Sequence, residues 1–227
     1  MAEAPVRFGD GEACAEAILS KVGQNIVLGL PVGLGKANSI ANALYERAEQ
    51  DSKVQLQIVT VLTHGRIEGH SKLERRLLEP LMDRLAGNYP ELKYNQAIEA
   101  GRLAPNIAVH EFFLHAGRML NASIAQQNYI SVNYTHALHA LLDRGVNVIA
   151  LLVARRDGAD GERLSLSCNP DLTLDLIPEL LLAALRQAIG PAPSAEEVQC
   201  LKRLKLNKVH SLRDWLLRWS VVWGLRA

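Results

Sequence analysis

Residues 24–40, QNIVLGLPVGLGKANSI, run from an apolar stretch into glycines, a proline and a lysine, and then into a helical pattern. A loop of this kind turns the backbone sharply after a strand. It also exposes N–H groups at a helix N-terminus, which suits an anion. Spacing excludes two nucleotide loops. A Walker A loop needs G-x-x-x-x-G-K followed by Ser or Thr. With Gly35–Lys36 as the G-K pair, Leu30 stands where the first glycine belongs and Ala37 where the hydroxyl belongs. A dinucleotide loop needs G-x-G-x-x-G; Gly33 and Gly35 begin one, but the last position holds Asn38. The loop is therefore a plain strand-to-helix turn or an anion site of another class.

Other residues with chemical potential are weaker candidates. HEFFLH at 110–115 is close to the zinc motif H-E-x-x-H but is one residue too long. An i,i+5 pair on a helix diverges by about 140°, so the rings do not converge on a metal. His136 and His139 share a face at i,i+3, yet no third ligand is visible. Cys168 follows Ser-Leu-Ser and would need a nearby histidine to serve as a thioesterase nucleophile; a small buried cysteine at a strand end is the simpler reading. Asn133 suits a helix N-cap. Glu99 and Glu111 are body carboxylates that nothing in the sequence marks as nucleophiles. No metal site is expected.

The elements that position these residues alternate. Helices are expected over 12–22, 36–50, 71–86, 133–145 and 174–188, from apolar spacing and stop signals. Strands are expected over 24–30, 53–62, 106–112, 128–132, 146–154 and 163–167, with a turn over 155–162. Alternating strands and helices, with strands apolar on both faces, predict an α/β domain built on a mostly parallel sheet.

Charge divides the chain. From Gln199 onward there are seven Lys/Arg against one acidic residue, whereas the preceding part holds 18 basic and 23 acidic residues. A mildly acidic body thus carries a basic tail. The N-terminus lacks the apolar core of a signal peptide, because Asp10, Glu12 and Glu16 interrupt it. No apolar run reaches the roughly 20 residues of a membrane span. Cys14, Cys168 and Cys200 are few and far apart, which fits a reducing cytoplasm. The body is not basic enough to suggest nucleic acid as a partner.

Three stretches carry a family resemblance: VLGLPVGLGKANSIANALYERA, the run from NQAIEAGRLAPNIAVHEFF through AQQNYISVNYTH to GVNVIALLVA, and LSLSCNPDLTLDLIPELL. Together, over roughly residues 10–182, they resemble the N-terminal half of the acetyl-CoA hydrolase/transferase family. These are class I CoA-transferases, including acetate, succinate and 4-hydroxybutyrate CoA-transferases. The resemblance implies the Rossmann-like parallel sheet with flanking helices shared by CoA-transferases and sugar-phosphate isomerases. It implies transfer of CoA between small carboxylic acids, or to water, through an acyl-glutamyl anhydride and a glutamyl-CoA thioester, with no cofactor beyond the CoA substrate. It also implies that the glycine loop faces the interdomain cleft. Gly33, Gly35 and Lys36 are then substrate-cleft candidates, with Lys36 either contacting the anionic substrate or lying exposed at a helix start.

The chain departs from the family in two places. The family's catalytic glutamate and oxyanion glycines lie in a second half that does not match anything here, so no catalytic residue is carried over. ARRDGADGERLSLS replaces a Pro-Pro-Asp turn found in many relatives, although a hairpin remains compatible with it. The expected partners are acyl-CoA and a small carboxylate, together with a second catalytic half or further copies of the chain. A non-catalytic partner subunit and a Cys168 thioesterase are the alternatives. The domain plan is an α/β domain over 1–189, a linker at 190–197 and a helical tail over 198–227. In the tail Trp215, Trp219 and Trp223 form one stripe among basic residues. Docking on the body or on a second chain, lying on an anionic membrane, or origin in a frame change or truncation would each account for it. The abrupt loss of the family pattern favours the last.

Overall fold

The computed structural model describes residues 6–165, except 66, 88, 159 and 160, together with 171, 172, 175 and 176. Helix α1, Gly11–Val22, starts where the Asp10 side chain accepts from the Ala13 N–H, 2.8 Å away. Its buried residues Cys14, Ala15 and Ile18 face helix α2, Asn38–Gln50. Between them runs strand β1, Asn25–Gly29. Strand β2, Gln55–Thr60, and strand β3, Ile107–Glu111, follow, with helices α3, Lys72–Ala86, and α4, Lys93–Glu99, between them. Helices α5, Ser123–Gln127, and α6, Ala137–Asp143, precede the two-residue strand β4, Val148–Ile149. A hairpin of β5, Ala154–Gly158, and β6, Gly161–Ser165, closes the described part.

Strands β1 to β4 form one parallel sheet in the order β3-β2-β1-β4. Alternation along the strands divides the core. Ile26 and Leu28 of β1, Leu56 and Ile58 of β2, and Ile107 and Val109 of β3 join α1, α2 and α4 on one face. Val59, Val61 and Phe112 join Ala137 and Leu141 of α6 on the other. Both faces are covered, as a parallel sheet requires. The chain is an α/β domain with a mostly parallel sheet flanked by helices. Among the described residues no helix is long and apolar enough to cross a membrane.

Several elements differ from expectation. The strand expected over 128–132 is a single bridge from Tyr129 to Glu111, with the Ile130 N–H donating to the Glu111 carbonyl at 2.9 Å. Ile130 and Val132 are apolar because they pack beside the second core cluster, not because they continue a ladder. The run 146–154 is strand at β4 and again at Ala154, where β5 begins. Between the two, Leu151 bridges Lys36 in antiparallel fashion and the Leu152 N–H donates to the Gly35 carbonyl at 2.8 Å, so the chain leaves the sheet to line the glycine loop. The segment 155–162 is mostly the arms of the β5–β6 hairpin, paired from Ala154↔Ser165 to Gly158↔Gly161. Asn133 precedes a 3-10 turn, Tyr134–His136, and makes no side-chain cap; it is the carbonyl of Asn133 that accepts from the His136 N–H. Helices α4 and α5 were not anticipated. Cys168, the 190–197 linker, the 198–227 tail and all but two residues of the helix expected over 174–188 lie outside the described residues.

Candidate functional site

The chain passes from β1 to β2 and β3 on one side and then returns to place β4 on the other side of β1. The order reverses between β1 and β4, and ligands of open α/β sheets bind outside the strand ends at such a reversal. The glycine loop sits there. It leaves β1 through Leu30 and Pro31, forms a 3-10 turn at Gly33–Gly35 and enters α2. Gly33 has φ 62°, a left-handed value that a side chain resists, so glycine is required by the turn. Gly33 is half-buried, Gly35 is buried, and the buried Lys36 follows.

Lys36 is not an exposed lysine at a helix start: α2 begins at Asn38, and Lys36 is 1% exposed. Its Nζ donates to the Pro31 carbonyl and to Thr60 Oγ1, each at 2.6 Å, and the Thr60 hydroxyl donates on to the Leu30 carbonyl at 3.2 Å. The ammonium therefore ties the base of the loop to the end of β2. Burial pushes the amine down to about 8, against the opposing pull of the Glu111 and Asp171 carboxylates. The Tyr89 hydroxyl fixes the same stretch from outside by donating to the Lys36 carbonyl at 2.9 Å.

Glu111, at the end of β3, is the second buried charge-bearing group, 5% exposed. Burial raises its carboxyl above the usual range, while hydrogen bonds from the Thr63 hydroxyl and N–H and the charge of Lys36 oppose the rise. Among the described residues its Oε1 has no hydrogen-bond partner. Thr63 Oγ1 also meets the fully buried Tyr94 hydroxyl at 2.8 Å. The ring of His64, next in sequence, is held below its usual range by partial burial and by the charges of Lys36 and His115.

Asp171 reaches the loop from the far end of the described chain. The Val32 N–H donates to its Oδ2 at 2.7 Å, and the Tyr134 hydroxyl donates to its other oxygen. An internal carboxylate thus occupies one amide of the loop. Beside it lies a shallow apolar hollow whose walls include Leu30, Pro31, Val61, Phe112 and Ile149.

Gly33, Gly35 and Lys36 lie together on the loop between β1 and α2, with the lysine turned inward. Sequence reasoning passed over Thr60, Thr63, Tyr94 and Asp171, and named Glu111 without giving it a role. The usable signal was a polar residue closing each apolar strand: Thr60 ends β2 and Glu111 ends β3. His110 lies on β3, not a helix, with Nδ1 3.3 Å from the Asn128 carbonyl. Among the described residues no three His, Cys, Asp or Glu side chains are grouped to hold a metal.

No family model matches this chain, and no curated protein matches it. Among solved structures, the crystal structure of RipA from Yersinia pestis is 16% identical, with a TM-score of 0.41, over 67% of this chain and 30% of RipA. One RipA mutant gives the same figures, and another gives 15% and 0.40. The chain spans less than a third of RipA's length, and a likeness this slight bears on neither fold nor activity. The α/β assignment rests on the strand pairing.

Proposed function

We propose that this chain acts on the CoA thioester of a small carboxylic acid, as an acyl-CoA hydrolase or CoA-transferase domain. It supplies the glycine-loop side of a site that a glutamate-bearing half completes. The observation that carries this reading is the placement of the loop at the β1/β4 crevice. Gly33 lets backbone approach a ligand without a Cβ in the way.

In the proposed reaction a glutamate carboxylate attacks the thioester carbonyl and CoA thiolate leaves, giving an acyl-glutamyl anhydride. Thiolate then attacks the glutamyl carbonyl, the carboxylate product departs and glutamyl-CoA remains. An acceptor carboxylate reverses these steps with a new acyl group, or water hydrolyses the thioester. The chemistry needs no metal or organic cofactor. We place it in a reducing cytoplasm, in keeping with a free, buried Cys14.

A second reading, a non-catalytic partner subunit, is favoured by one observation: Asp171 takes a loop amide and Lys36 faces inward, so both are engaged internally. The test is incubation of the full chain with acetyl-CoA, with and without succinate, following free thiol and succinyl-CoA, alongside ligand-observed NMR. Binding without turnover is expected. Sustained turnover would place a nucleophile in this chain and contradict the half-site. Absence of binding would favour the non-catalytic reading.

A further inference from the structure

We infer that α3 is the contact face of a homodimer in which the helices of two copies pack antiparallel about a two-fold axis near Glu79. The helix is well started: Ser71 Oγ accepts from the Glu74 N–H at 3.2 Å, and Glu74 Oε2 accepts from the Ser71 and His70 N–H groups at 2.8 Å each. Yet none of its 15 residues is buried. Leu73, Leu77, Leu81 and Leu85 are 75%, 70%, 43% and 69% exposed. They recur every four residues and so form one ridge, while Leu78 and Met82 are half-buried beneath it. A helix of this length is marginal alone in water and takes its stability from packing an apolar face. A continuous apolar ridge on the surface marks an interaction site.

The pattern of the ridge selects the occupant. A two-fold interface must be self-complementary. Laid antiparallel on its own copy, α3 sets Leu73 against Leu85, Leu77 against Leu81, and Glu74 against Arg84, each pair occurring twice. Reading inward from both ends gives leucine on leucine and opposite charge on opposite charge, until Glu79 meets its own copy at the axis. The chain's own basic tail fits less well. The helix carries Lys72, Arg75, Arg76 and Arg84 against Glu74, Glu79 and Asp83, so both surfaces are net positive. A 15-residue helix is about 22 Å long. The contact therefore lies at the low end of interface sizes, and a dimer of micromolar strength is expected.

Sedimentation of the full chain across the micromolar range tests this. A concentration-dependent dimer is expected, and Leu77→Glu should leave a monomer with unchanged circular dichroism. Glu74→Arg and Arg84→Glu should each weaken self-association about tenfold or more. Mixing the two variants should restore pairing, as a heterodimer in which positions 74 and 84 again carry opposite charges. A monomer at all concentrations would overturn the inference, as would a dimer indifferent to Leu77→Glu. A monomer whose α3 amides are protected from hydrogen exchange would overturn it too, because the chain's own C-terminal segment would then cover the ridge.

Discussion

Lys36 shows how a polar residue is kept inside an apolar sheet edge. Two of its three donors reach neutral oxygens, on Pro31 and Thr60, and among the described residues no carboxylate bonds it directly. The charged form is therefore held by hydrogen bonds and by the more distant Glu111 and Asp171, while burial works against it. With the folded-state value at about 8 and the usual value at 10.5, the unfolded chain binds the extra proton between them. Stability should then rise with pH from about 8, by an amount on the order of 2–3 kcal/mol near pH 10. Beyond that, buried Tyr45 and Tyr94, whose hydroxyls are shifted up, act in the opposite direction. Urea midpoints over this range should show the rise in the native chain and its absence in Lys36→Met. Glu111→Gln removes a carboxylate that supports the ammonium, so in that variant the amine should titrate below about 8, as read by nitrogen NMR of Lys36. The sequence showed that a lysine follows the glycines. It did not show where the side chain turns, because Thr60 and Glu111 reach it only through strand register.

At the scale of elements, the short β4 has the most to explain. Its backbone pairs with β1 over Leu28↔Val148 and Gly29↔Ile149 alone. The Asn147 side chain extends that pairing: Oδ1 accepts from the Val27 N–H at 2.8 Å and Nδ2 donates to the Asn25 carbonyl at 2.9 Å. An asparagine thus acts as one more rung of the ladder. Asn147→Ala should cost about 1–2 kcal/mol in urea denaturation, with loss of hydrogen-exchange protection concentrated at Val27. Helices α1, α2 and α3 were legible to within a residue or two from their apolar spacing. The run after Gly145 was not. Its apolar residues are buried, but burial comes partly from β4 and partly from the stretch that borders the glycine loop, and hydropathy cannot separate the two. The same ambiguity made Ile130 and Val132 read as strand.

For the molecule as a whole, strand order decides where the sheet reverses. The sequence predicted a mostly parallel sheet from strands apolar on both faces, and the sheet is parallel throughout β1 to β4. It did not predict the order, which places the glycine loop at the reversal between β1 and β4 and brings Asp171 to Val32. Two cores, one on each face, hold that edge in place. The leucine ridge of α3 stands apart from both, so its proposed role in dimerisation can fail without affecting the crevice. The central claim is that this crevice receives a CoA thioester through the glycine loop. Isothermal titration of acetyl-CoA into the native chain and into Gly33→Val tests it most directly. A side chain at the left-handed position should cost about 1–2 kcal/mol and shift the loop, leaving the sheet folded. The expected result is saturable binding by the native chain, weakened at least about tenfold in a Gly33→Val protein with unchanged circular dichroism. Equal binding by both proteins, or none by the native chain, would contradict the claim.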